Sequence, residues 1–334
     1  MTLSLVTKYQ LNMFLILSCW PQKKNQFITK LKIILKEVIL LKQWRYFWTL
    51  AYQKPGGSQT VIESLITDLK QRNVNFRFND FNQNYLYSTV FVFSDLECLR
   101  WAIEQKKKGL VKKLIAGPFI STLPFDNHYI LDSEFIDELL FASSWLPNIF
   151  YKTYKHKNRP YKIWSAGIDH LFWVPDQKII KDQYLIYIKS DHFNISTEIA
   201  NQMKNKNIKF NILRYGSYNK EQYKVELQKS MGVIFISPSE TQGLASFEAW
   251  SCDIPTLHWN PEIMIYLGET YEPASSCPYL DDTLGSSFKT TQEFSQKFDD
   301  FQRRLDYFSP RNTVLKKYKI TDSTDLFLNQ LGLF

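Results

Sequence analysis

From about residue 45 onward, short apolar runs alternate with longer stretches in which apolar residues recur every three or four positions. Parallel α/β units leave that pattern, because strands covered on both faces are apolar throughout while their helices are apolar on one side. Residues 46–52 read as a first strand and Pro55-Gly56-Gly57-Ser58 as the turn after it. Val61, Leu65, Ile66 and Leu69 then give the next segment a helical stripe. Further strands are expected at 74–78, 86–93, 113–116 and 139–142, with a helix at 96–105. A second set starts after Pro175, with strands at 184–189, 210–214 and 233–236 and helices at 195–203 and 220–230. The polar stretch 173–182, which contains Pro175, is the expected linker between two domains.

The N-terminal stretch breaks this rhythm. Residues 11–20 are apolar but about half the length needed to span a bilayer, and basic residues follow rather than precede them, which argues against a leader or a spanning helix. Phe27, Leu31, Ile34, Leu35, Val38 and Leu41 suit an amphipathic helix with Lys30, Lys32 and Lys36 on its polar side. Such a helix packs on its own domain or lies on an anionic membrane surface through residues 23–45, and the residues leave both open. The net charge of +8 resides here: residues 1–60 carry nine Lys and Arg against Glu37 alone, so the rest of the chain is neutral in sum. Nucleic acid is therefore an unfavoured partner.

The composition, with 44% hydrophobic residues, 25 Phe, 19 Tyr and 9 Trp, is that of a folded globular protein. Four Cys without a CxxC pair and five His without ligand spacing point to a reducing compartment and to no metal. Neither the Gly-x-Gly-x-x-Gly fingerprint nor a P-loop is present, and no Gly-x-Ser-x-Gly elbow occurs.

Chemistry concentrates between Ser237 and Pro255. An apolar strand enters a small polar loop, Ser237-Pro238-Ser239-Glu240-Thr241-Gln242, and Gly243 opens a helix carrying Glu248, eight positions after Glu240. Open α/β sheets bind ligands beyond the carboxyl ends of their strands. The N–H groups of Gly243, Leu244 and Ala245 would favour an anionic group such as a diphosphate, and Glu248 could accept two hydrogen bonds from a ribose diol. Two glutamates eight apart also arise by chance in helices; the strand, glycine and proline around these argue against chance.

This segment resembles the E-x7-E signature of the retaining glycosyltransferases of family 4, a GT-B group using nucleotide-sugar donors. Glu240, Gly243, Leu244, Glu248, Ala249 and Pro255 match it, whereas Thr241 and Asp253 stand in place of glycines and Trp250 in place of methionine. The resemblance implies that Glu248 holds the donor ribose and that Glu240 faces the donor sugar as the catalytic residue. Gly56, Gly57 and Ser58 are similar to the family's glycine-rich loop. Ser165-Ala166-Gly167-Ile168-Asp169 resembles the element closing its first domain, with Gly167 a candidate to line the cleft. Phe308-Ser309-Pro310-Arg311 resembles the turn before the last helix. Of the basic pair usual after the first strand of the second domain, only Lys189 is present. The family's donor-contacting His is missing at Phe93-Ser94-Asp95, where Asp95 either takes over a polar role in the cleft or, the reading favoured here, caps the helix beginning near Leu96.

The implied fold is α/β GT-B: two Rossmann-like parallel-sheet domains facing a central cleft, with a C-terminal helix crossing back to the first. The expected boundaries are 1–44 for the basic segment, 45–174 for the acceptor domain, 175–310 for the nucleotide-sugar domain and 311–334 for the last helix. The implied activity is sugar transfer from a nucleotide-diphosphate donor to a glycan, lipid or other hydroxyl acceptor, with retention and without metal or other cofactor. The expected setting is cytoplasmic, with peripheral membrane attachment left open. Two alternatives stand beside it: a non-catalytic nucleotide-sugar-binding protein and a DNA-modifying GT-B glucosyltransferase.

Overall fold

The computed structural model describes residues 14–18, 57–82 and 85–330. They gather into two compact units, one running to Leu140 with Asn158–Tyr161, the other made of Phe141–Lys157 and Lys162 onward. The expected strand at 46–52, Gly56 and the basic helix within 23–45 lie outside the described residues.

The first unit contains β1 (Phe14–Leu17), α1 (Gly57–Gln71), β2 (Phe76–Phe78), β3 (Tyr87–Val92), α2 (Leu96–Lys107), β4 (Val111–Ala116) and β5 (Glu138–Phe141). With β6 (Tyr161–Ile163) the sheet order is β2-β1-β3-β4-β5-β6. Here the structure differs from the sequence reading. The run tested above as a membrane segment supplies a central strand, parallel to β2 and β3, with Phe14 opposite Phe76 and Thr89. Its four side chains are at most 1% exposed, since a strand covered on both faces needs the same unbroken apolar character as a lipid-facing segment. Residues 1–44 are therefore not wholly an appendage. Gly57 and Ser58 are the first residues of α1 rather than a loop. Asp95 is the N-cap of α2, its Oδ1 accepting from the N–H groups of Glu97 and Cys98 at 2.8 and 3.2 Å.

The second unit begins with α3 (Trp145–Thr153), which the sequence reading passed over. It continues through β7 (Gln183–Ile188), α4 (Ile195–Asn205), β8 (Phe210–Arg214), α5 (Lys220–Gln228), β9 (Ser230–Ile236), α6 (Leu244–Ser251) and β10 (Thr256–Trp259). A hairpin of β11 (Met264–Tyr266) and β12 (Glu269–Tyr271) follows, then β13 (Gly285–Phe288), α7 (Thr291–Arg303), α8 (Pro310–Lys317) and α9 (Ile320–Gln330). The sheet is parallel in the order β13-β10-β9-β7-β8.

The stretch expected to be a linker is drawn into this unit. Trp173 is 2% exposed and packs edge-on against Tyr223 of α5 at 5.7 Å, because burying an indole outweighs the polarity of its neighbours. The Arg311 guanidinium fastens the same stretch, donating to the carbonyls of Trp173 (3.0 Å), Ser251 (2.5 Å) and His170 (3.3 Å). Buried His258 of β10 stacks on Phe235 with ring centroids 4.8 Å apart, and its Nε2 lies 3.0 Å from Thr256 Oγ1. Burial pulls its pKa down to about 3. No described helix is long and apolar enough to cross a membrane.

Candidate functional site

In the second sheet the chain runs from β7 outward to β8 and then returns to the other side of β7 as β9. The strand order thus reverses between β7 and β9, and a crevice opens at such a switch point beyond the carboxyl ends of the two strands. Lys189 leaves β7 there, its N–H donating to Ile236 of β9 at 3.0 Å, and the loop holding Glu240 leaves β9. Lys189 Nζ and Glu240 Oε2 meet across the switch point at 2.5 Å, although 51 residues separate them in the chain.

The backbone of Glu240 is held at both its N–H and its carbonyl. Its N–H donates to Ser275 O at 2.8 Å, Trp145 Nε1 of α3 donates to its carbonyl at 3.0 Å, and its side chain is only 12% exposed. Gly243 follows in the left-handed region at φ +85°, and α6 starts from it without a side-chain cap. A Cβ there would meet nothing closer than 3.6 Å, so the backbone angle rather than space calls for glycine. The N–H groups of Gly243, Leu244 and Ala245 have no acceptor among the described residues, which leaves a helix N-terminus able to receive an anion. Asp253 adopts the left-handed conformation at φ +59°.

Glu248 lies on α6 and takes no hydrogen bond or ion pair from a described residue. Burial pushes its carboxyl up to about 8, with Lys220 at the start of α5 pulling the other way. Solvent still reaches part of the side chain. Beside it stands a tyrosine cluster: Tyr187 OH and Tyr218 OH are 2.6 Å apart, and Tyr223 OH donates to Ala245 O at 2.9 Å, fastening the first turn of α6. Burial raises the pKa of all three hydroxyls, and the charge of Glu248 adds to the rise. Tyr215, 58% exposed at the end of β8, carries its ring 5.7 Å from Lys189 Nζ.

The structure therefore brings together Lys189, Glu240, Gly243, Leu244 and Glu248. Gly57 and Ser58 belong to the first unit, at the start of α1. Gly167 has a packing role: a Cβ on it would come within 2.4 Å of Lys319 O, so its lack of a side chain lets two backbones approach. The sequence reading gave no role to Gln242, Trp145, Tyr218 or Lys220. Gln242 did offer a signal, as a polar residue between a core strand and a helix that must find partners when buried. Among the described residues no group of three or more His, Cys, Asp or Glu is placed to hold a metal ion.

No family model and no curated protein sequence matches the chain. Solved structures do. The lipopolysaccharide outer core galactosyltransferase WaaB, in its apo form, aligns over 96% of this chain and 99% of its own at 11% identity and a TM-score of 0.61. TarM aligns over 81% of this chain at 12% identity and a TM-score of 0.51. The pneumococcal O-GlcNAc transferase GtfA, in complex with UDP and GlcNAc, aligns over 80% at 10% identity and a TM-score of 0.50. This chain spans 58% of the length of each of the latter two. At such identities the likeness is one of fold: two Rossmann-like α/β units built on parallel sheets, the architecture of the GT-B glycosyltransferases.

Proposed function

We propose that the chain is a glycosyltransferase whose second unit binds a nucleotide-diphosphate sugar beyond the carboxyl ends of β7 and β9. The observation that carries this reading is the Lys189–Glu240 pair, 2.5 Å across the switch point, beside the open N-terminus of the helix bearing Glu248. A diphosphate placed there meets Lys189 and the N–H groups of Gly243, Leu244 and Ala245, which stabilise its charge as it leaves. Glu248 has two oxygens without partners among the described residues and accepts the ribose diol. Once the diphosphate takes Lys189, Glu240 faces the donor sugar and the positive charge that develops on it. Transfer is to a hydroxyl of a glycan or lipid acceptor, with retention, and the scheme needs no metal or other cofactor. The glycosyltransferases sharing the fold, one of them in complex with UDP and GlcNAc, support this substrate class.

The test is a thermal-shift panel of UDP-, GDP-, ADP- and dTDP-sugars on the wild type and Glu248→Ala. A ligand of the native state at about a hundred times its Kd stabilises it by about 2.7 kcal/mol. Stabilisation by one donor, lost in the variant and accompanied by slow donor hydrolysis, is the expected result. A folded protein that no donor stabilises would overturn the reading.

A further inference from the structure

Gln242 lies between Glu240 and Gly243 and is 7% exposed. Its side-chain amide makes a two-point contact with a single distant residue: Oε1 accepts from Ala166 N–H at 2.8 Å, and Nε2 donates to Ala166 O at 2.7 Å. Both polar atoms of the amide are thereby spent on the backbone of a segment 76 residues away. That segment is itself fixed. Ile168 bridges to Lys319 and its N–H donates to Tyr318 O at 2.8 Å, Ser323 Oγ donates to Ser165 O at 2.6 Å, and Gly167 abuts the Lys319 and Ile320 backbone. The carbonyl of Glu240, two residues away, is held by Trp145, and its N–H by Ser275.

We propose that Gln242 is a positioning residue: by clamping the loop to Ala166 it fixes where the Glu240 carboxylate and the Gly243 N–H stand relative to the donor. The inference rests on the glycosyltransferase reading of the site for its functional consequence, but its structural part is independent of it. An amide is the side chain that fits, because the backbone of Ala166 presents one donor and one acceptor on the same side and the clamp must supply the complement of each. A protonated carboxyl offers the same pair. An ionised one sets an oxygen against the Ala166 carbonyl, a contact that disfavours the charged form and breaks the clamp when the proton leaves.

That difference supplies the experiment. Gln242→Glu and Gln242→Met are prepared in the full chain, and donor hydrolysis and donor Kd are followed from about pH 5.5 to about pH 8.5, each as a ratio to the wild type at the same pH, which cancels the titration of Glu248. The other ionisable groups near the clamp are Glu240, Lys189 and Asp169 together with the hydroxyls of Tyr279 and Tyr318; burial holds Tyr279 at about 12 and raises Tyr318, and all of them are common to both proteins. The glutamate variant is expected near wild-type turnover at the acid end and to lose about tenfold to a hundredfold at the alkaline end, a loss in kcat more than in Kd; the methionine variant stays low throughout. In parallel, the Trp145 indole N–H resonance of 15N-tryptophan-labelled protein reports the Glu240 carbonyl directly. It should move with the same pH transition in Gln242→Glu and stay still in the wild type.

A glutamate variant whose ratio is flat with pH, with the indole resonance unmoved, would overturn the inference, as would a methionine variant as active as the wild type. If the wild type binds no donor, the glycosyltransferase reading fails, and the indole resonance alone decides whether Gln242 positions the loop.

Discussion

Replacing Glu248 by glutamine should make the protein more stable while weakening its hold on a donor. The Glu248 carboxyl is pushed from an ordinary 4.5 up to about 8 by burial, so between those values the native state binds more protons than the unfolded chain and stability falls as pH rises. At ~1.36 kcal/mol per pH unit, a fully dry site would lose ~3 kcal/mol by pH 7 and ~5 kcal/mol above pH 8. Solvent reaches part of this side chain, and the screening it brings reduces the figure at pH 7 to about 2 kcal/mol. Glutamine keeps the shape and one acceptor but carries no charge to desolvate. For a unit of about 190 residues, 2 kcal/mol corresponds to a rise of roughly 4 to 8 °C in Tm. The assay is thermal unfolding of both proteins from about pH 4.5 to about pH 9, read as a difference so that every other titration cancels. The gap should be near zero at the acid end and widen through pH 7 to a plateau above pH 8. A gap of constant size, or a variant no more stable than the wild type at pH 8.5, would refute the reasoning.

Donor binding should release a proton, because diol hydrogen bonds to the ionised Glu248 lower its pKa; titration calorimetry at pH 7 in buffers of differing ionisation enthalpy should give a binding enthalpy that varies with the buffer, and the same value in Glu248→Gln. His258 is buried neutral with its pKa down to about 3, so the unfolded chain binds the extra proton and stability should fall as pH drops from about 6.5 towards 3, by up to ~4 kcal/mol; acid unfolding of His258→Gln should lack that limb. Arg311→Met strips donors from the carbonyls of Trp173, Ser251 and His170 and should lower stability by about 2 to 3 kcal/mol in denaturant titration while leaving donor Kd unchanged.

Much of the second unit was legible because its signals are local. The run Val233 to Ile236 is apolar throughout, Gly243 punctuates it, and Glu240 and Glu248 fall at a fixed spacing on one strand-loop-helix segment. What escaped was set by distant partners. Nothing near Lys189 in the sequence announces Glu240, and the pairing exists only because the chain returns beside β7 as β9. The clamp from Gln242 to Ala166 spans a similar distance. α3 carries Trp145, Ile149 and Phe150 at helical spacing, but a turn and a half of apolar pattern is too short a signal to mark a helix by itself. Around Trp173 polar neighbours outnumber the one indole and give the stretch the look of a linker, whereas that buried indole outweighs several of them.

The placement of β1 has a consequence for how the chain is made. Phe14–Leu17 emerge from the ribosome first, but their partners Phe76–Phe78 and Tyr87–Val92 come about sixty to seventy-five residues later, roughly 3 to 15 s at ordinary rates of synthesis. For that interval the apolar tetrapeptide has no sheet to join. The first unit can close only after β3 has left the exit tunnel, so a pause in translation ahead of Tyr87 would prolong the exposure of β1, and slowed synthesis there should raise the share of aggregated protein.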